Sequence, residues 1–254
     1  HALGEFESLS PVAEEEEGGF VKGVIGEPPA PPLVTKKGMN RYVWNLRNER
    51  YTDVSDTIRY VSTRPYRVAP GTYQARLTLN GESITKSFDV IPDPRRNPVA
   101  ADAWRHQQAL LAELGAMVNE IHGSTNHMRS VVEEIRAVLE IVATRSEADE
   151  IRVSGQVLIR KIDAWENHVP QPELPNDVQD RIAFPSRLLS TQVLHVMRAM
   201  DQDPPLTRGS ELRSEELNTQ WAAIKSDMLE ILDVDLREFN DLLSAEEIPR
   251  VSRD

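Results

Sequence analysis

The chain predicts an α+β protein in two parts, a small β-sandwich followed by an antiparallel four-helix bundle. Three observations carry this. All five tyrosines fall between Tyr42 and Tyr73, and ten of the 17 prolines lie at or before Pro98. No proline occurs from Val99 to Val169. The apolar rhythm changes from every second residue to every third or fourth near Pro98. Tyrosine suits strands and proline interrupts helices, so composition and periodicity switch class at the same place.

In chain order, residues 1–35 read as an extended, acidic, proline-rich segment. Glu14–Glu17 is a solvated charge run, and Pro28-Pro-Ala-Pro-Pro32 reads as polyproline-like chain. Phe20–Ile25 is a candidate short strand. The chain opens on His1 rather than Met, which reads as a processed product or a piece of a longer polypeptide.

Residues 36–92 read as the β part. Tyr42, Trp44 and Leu46 share one face. Pro70-Gly71 is a turn, after which Tyr73, Ala75, Leu77 and Leu79 alternate on one side. Asn80-Gly81 is the preferred pair for a two-residue type I′ hairpin. That turn pairs Leu79 with Glu82, Leu77 with Ile84 and Tyr73 with Phe88, placing both apolar sets on one face. A lone hairpin is marginal in water, so further strands are expected to complete a sandwich, one of them at Ile58–Val61. Residues 93–98, part of a proline-rich run, form the linker.

Residues 99–254 read as four helices. Leu111, Leu114, Val118, Ile121, Thr125, Met128, Val132, Ile135, Leu139 and Val142 alternate spacings of three and four. This seam is about 45 Å long at ~1.5 Å per residue. A second seam runs through Ile151, Gly155, Leu158, Ile162, Trp165 and Val169, and is stopped by Pro170, Pro172 and Pro175. A third helix is expected over Asp177–Met200 with a kink at Pro185. A fourth is expected over Ser210–Ala245 with Leu217, Trp221, Ile224, Met228, Leu232, Leu236, Phe239 and Leu243 inward. Short connections between four amphipathic helices imply an up-and-down bundle. Packing within one chain satisfies these seams before any intermolecular coiled coil does.

Reactive motifs are missing from the sequence. There is no cysteine, which excludes thiol catalysis and thiolate metal sites. No HExxH, Glu-x-x-His, GxSxG, Walker or GxGxxG pattern occurs, so no catalytic residue, metal ligand or cofactor is assigned. His122 and His127 are five apart, the wrong spacing for two ligands on one helix face, and the histidines read as surface or capping residues. Asp233, Asp235, Asn240 and Asp241 lack the glycine and glutamate of a calcium loop. They read as solvated, with one polar contact fixing helix register. The net charge of −12 argues against nucleic acid as a partner, and no apolar run is long enough for a membrane span. Tyr42, Trp44, Tyr73 and Phe88 read either as a sugar-stacking platform or as core, and periodicity favours core. Tyr51, Tyr60 and Tyr66, in the long connection, are the candidates for a ligand-contact surface.

Several strings recur together. Lys37-Gly-Met-Asn-Arg-Tyr-Val-Trp-Asn-Leu-Arg47 is followed by Pro70-Gly-Thr-Tyr73, Asn80-Gly81 and Pro92-Asp-Pro-Arg95. Asp203-Pro-Pro-Leu-Thr207 and Asp235-Leu-Arg-Glu-Phe-Asn240 stand near the end. In this order they resemble the region downstream of the β-propeller in bacterial BNR-repeat, sortilin-like proteins, often labelled glycosyl hydrolases. The Trp44 and Pro70-Gly71 strings also resemble an Ig-like domain of flagellar-hook-capping type. The chain departs from the family at Asn45, where Asp is usual, and it contains no propeller. The resemblance implies that the sandwich is Ig-like, that the protein is extracellular, periplasmic or otherwise envelope-associated, and that a β-propeller domain or chain is its partner. It transfers no catalytic residue. Three functions follow as expectations: a non-catalytic scaffold or docking module, an accessory part of a secreted glycoside- or peptide-active hydrolase, and a carbohydrate- or surface-binding module.

Overall fold

In the computed structural model, residues 36–54, 63–145, 148–169 and 188–253 are described. The elements are β1 (Gly71–Leu79), β2 (Glu82–Val90), α1 (Ala101–Ile141), α2 (Asp149–Glu166), α3 (Leu189–Met200), α4 (Arg208–Glu230) and α5 (Leu236–Ala245). A π turn at Ile231–Asp235 joins α4 to α5 without a break. The candidate strands at 20–25 and 58–61, and the expected kink at Pro185, lie outside the described residues.

The hairpin forms with the register that its turn dictates. Leu79 pairs with Glu82, Leu77 with Ile84 and Tyr73 with Phe88. Asn80 and Gly81 both take positive φ, 50° and 84°, as a type I′ turn requires. The Ig-like sandwich, however, is not there. Among the described residues the only sheet is this two-stranded one, and the hairpin packs against none of the helices. Its apolar face, expected to be core, is bare: Leu77 is 66% exposed, Leu79 64% and Ile84 63%. Alternation fixes which residues share a face. It does not supply the second layer that would cover them.

The four helical segments form, but among the described residues they make three rods in cross-section rather than four side by side. Helix α3 runs antiparallel to the first half of α1. Gln107 Nε2 donates to the Met200 carbonyl at 2.7 Å, and His122 meets Ser190 at 2.7 Å. Helix α2 runs antiparallel to the second half, with Arg129 bonded to Glu166 at 2.6 Å. Helices α2 and α3 do not pack against each other. They follow one another along α1 as a split middle rod. The α4–α5 rod runs parallel to α1, and its partners rise in step. Glu211 meets His106 at 2.8 Å, Asn218 donates to Glu113 at 2.6 Å and Trp221 donates to Glu120 at 2.7 Å. Trp165 Nε1 ties α2 to α4 through the Ile224 carbonyl at 2.8 Å.

The core seams fall where spacing puts them. Leu111, Leu114, Val118, Ile121, Thr125, Met128 and Ile135 are buried on α1, and Ile151, Leu158, Ile162 and Trp165 on α2. The π turn takes in an extra residue, so that both Ile231 and Leu232 are buried and Leu236, Phe239 and Leu243 stay inward after it. Thr207 caps α4 by accepting from the Ser210 N–H at 3.2 Å. The carboxylates around the π turn are paired: Asp235 with Lys161 at 2.5 Å and Asp233 with Arg253. Asn240 exchanges two hydrogen bonds with the Val251 backbone, at 2.8 and 3.0 Å, and holds the tail down. No helix of the described residues is long and apolar enough to cross a membrane.

Two glycines on the bundle give opposite expectations. A Cβ at Gly155 would lie 2.9 Å from Leu139, 3.2 Å from Phe239 and 3.3 Å from Ile135. Gly123 has open space. Gly155→Ala is expected to cost about 1–2 kcal/mol through overpacking. Gly123→Ala is expected to gain about 0.5–1 kcal/mol from helix propensity. Urea unfolding of both variants checks the contrast.

The Glu120 carboxyl sits below its ordinary pKa because Lys225 and Trp221 hydrogen-bond its charged form. Its support of the α1–α4 contact is therefore complete above the ordinary carboxylate range. It is lost as pH falls through the depressed value. Glu120→Gln is expected to flatten the acid limb of the stability curve, read by thermal melts across that range.

Candidate functional site

The side of the bundle formed by α1 and α3 is covered by irregular chain. Residues 46–54 and 63–69 form a strap across these two helices. The two arms meet through Val68 N–H to Leu46 O at 3.0 Å and Asn48 N–H to Tyr66 O at 3.1 Å. The strap's own Val54 and Val68 are buried. Backbone groups of the strap are satisfied by helix side chains. Asn119 accepts from the Thr52 N–H at 2.8 Å, Asn126 donates to the Asp53 carbonyl at 2.8 Å, and Gln108 donates to the Arg67 carbonyl at 3.1 Å.

Asp201, just past the end of α3, fastens the strap. It accepts from Arg47 Nη1 at 3.0 Å and from the Arg67 backbone N–H at 2.9 Å, and its own carbonyl accepts from Arg67 Nη2 at 2.8 Å. Arg47 also reaches the Pro65 carbonyl at 2.5 Å. One carboxylate thus gathers both arms of the strap. Asp203 extends the cluster to Arg96 at 2.8 Å, at the entry to α1.

Of the three candidate tyrosines, the structure brings two together. Tyr51 and Tyr66 lie side by side over Gly115, where a Cβ would approach Tyr51 to 3.4 Å and Tyr66 to 3.6 Å. Tyr60 lies outside the described residues. Burial raises the Tyr51 pKa well above its ordinary value, reinforced by neighbouring Tyr66, and burial raises that of Tyr66 too. A shallow cleft beside them is lined by Tyr51, Arg64, Tyr66, Met197, Arg198 and Asp201, with interior room for about one water molecule.

His122 is the residue that spacing arguments misplace. Expected at the surface, it is 9% exposed and sits under the strap. Its Nδ1 lies 2.6 Å from the Thr52 carbonyl and its Nε2 lies 2.7 Å from Ser190 Oγ. A carbonyl only accepts, so Nδ1 carries a proton; in a neutral imidazole Nε2 then accepts from the serine hydroxyl. The order serine, imidazole, oriented acceptor is that of an activated nucleophile. Here Ser190 is 5% exposed, with its backbone N–H bonded to the Val169 carbonyl. The contact joins strap, α1 and α3 as a latch. His122 follows the seam residue Ile121 and stands four after Val118, and that flanking position was the available signal.

The aromatic set resolves into a cluster at the foot of the hairpin. Trp44 meets Tyr73 edge-on at 5.6 Å and Phe88 at 6.0 Å, and Tyr73 stacks with Phe88 at 6.2 Å. Trp44 Nε1 donates to the Arg47 carbonyl and Tyr73 OH to the Ala69 carbonyl. These bonds tie the hairpin to the strap. Tyr42 stays outside the cluster, 46% exposed. Among the described residues no group of three or more His, Asp or Glu stands close enough to hold a metal ion. No protein-family model, curated protein or solved structure matches the chain.

Asp201→Ala is expected to cost about 2–4 kcal/mol, because it leaves Arg47 charged and largely enclosed. Hydrogen exchange is the measurement. Amides of residues 48–54 and 63–69 should lose protection, while those of α4 and α5 keep theirs.

Proposed function

We propose that the chain is a non-catalytic scaffold and docking module of a secreted or envelope-associated BNR-repeat, sortilin-like propeller protein. The observation that carries this reading is the hairpin. The strap is fastened to the bundle through Asp201 and His122, and among the described residues the aromatic foot holds β1–β2 clear of every helix. Nine-residue strands with a bare apolar face are poorly stable in water alone, and such a surface marks a contact with another protein. The polar face needs no partner. Thr72 bonds Asp89 at 2.7 Å and Thr78 bonds Ser83 at 2.8 Å across the strands.

The propeller is the body implied by the strings around Trp44, Pro70 and Pro92. It stands either in the same polypeptide or in a second one. The enclosed Ser190–His122 contact supports a structural role and gives the hydrolase alternative its sharpest test.

Intact mass and co-purifying peptides from the native source are expected to show a β-propeller with this chain. The isolated chain is expected to turn over neither glycoside nor peptide substrates. Turnover that disappears in Ser190→Ala would overturn the reading.

A further inference from the structure

We propose that the apolar face of the hairpin takes a second copy of the same hairpin, so that two chains join as a two-fold dimer with a four-stranded, two-layer β-sandwich between them. The inference rests on the docking reading above but assigns this face to a second copy rather than to the propeller.

The face has four rungs in register: Tyr73–Phe88, Ala75–Lys86, Leu77–Ile84 and Leu79–Glu82. The two charges on it are opposite in sign and lie one rung either side of Leu77–Ile84. Consider a two-fold axis lying between the layers, perpendicular to the strands, through that central rung. It places each β1 over the partner's β1 in the reverse direction, and each β2 over the partner's β2. Leu77 then meets the partner's Leu77, and Ile84 the partner's Ile84. Lys86 falls opposite the partner's Glu82, twice by symmetry. Ala75 falls opposite the partner's Leu79, a small side chain against a large one, again twice. Tyr73 and Phe88, already capped by Trp44, form the edge of the patch beside the partner's Asn80-Gly81 turn. A self-complementary patch of this kind is what an isologous interface requires. Layers about 10 Å apart and twisted by about 30° are the ordinary packing of two sheets.

The alternative two-fold axis, parallel to the strands, sets Lys86 beside the partner's Lys86 across one rung and leaves Glu82 unanswered. Charge therefore selects the first arrangement. The three open rungs cover about 14 Å along the strands. The interface is thus smaller than the ~1,600 Å² typical of stable complexes, and association is concentration-dependent rather than obligate.

Sedimentation of the full chain over a range of concentrations tests this. The wild type is expected to pass from monomer to dimer as concentration rises. Leu77→Thr with Ile84→Thr keeps β-formers in the strands and should remain monomeric with unchanged helical circular dichroism. Lys86→Glu and Glu82→Lys should each weaken self-association about tenfold or more, since each opposes like charges. Their equimolar mixture should regain wild-type association, because every cross-pair is again of opposite sign. A wild type that stays monomeric throughout, single variants that dimerise as wild type does, or a mixture without recovery overturns the proposal. If the wild type is monomeric but binds a propeller chain through Leu77 and Ile84, the docking reading stands and the second copy falls. If neither association depends on those residues, both fall.

Discussion

Helix α1 sets the problem that the rest of the bundle solves. It spans 41 residues and buries side chains from Gln107 to Val138, a stripe wide enough to need cover on more than one flank. Burying each large side chain contributes about 1.5–3 kcal/mol, so leaving any stretch open is costly. Only the α4–α5 rod matches α1 in length, and it covers one flank. The other flank is divided between α2 and α3, each far shorter. The strap completes the cover beside α3. Its backbone polar groups are then answered by Asn119, Asn126, Gln108, His122 and Asp201.

This makes the strap more than a connection. It closes the bundle over α1 and α3, and it carries the hairpin at its end. Trp44, four residues before Asn48, packs on Tyr73 and Phe88. Arg47, next in the same arm, bonds Asp201. The position of the hairpin therefore follows from the fastening of the strap. A change at Asp201 acts on the hairpin's placement through bonds rather than through contact.

Much of this was legible in the residues. The hairpin register followed from Asn80-Gly81 and alternation, because a two-residue turn leaves one pairing possible. The inward seams of α1, α2 and α4–α5 followed from spacings of three and four. The number of rods did not follow. Periodicity says that Ile162 and Val193 face inward, but not whether α2 and α3 lie side by side or in line. That depends on which stretch of α1 each one meets. The sandwich was inferred from the instability of a lone hairpin, an argument that requires a cover without locating it. Tyr51 and Tyr66 were chosen as uncommitted aromatics, and Gly115, against which both rings lie, is about 50 residues away. His122 was read by its spacing from His127, although its partners are Thr52 and Ser190, both distant in sequence. Contacts of that kind leave no local pattern.

The split middle rod has a mechanical meaning. Because α2 and α3 do not pack side by side, each braces its own stretch of α1: α2 together with α5 and the tail held by Asn240, α3 together with the first turns of α4, the strap and its latch. One hydrophobic core runs through both stretches, so α1 and the α4–α5 rod couple the two ends rather than isolating them.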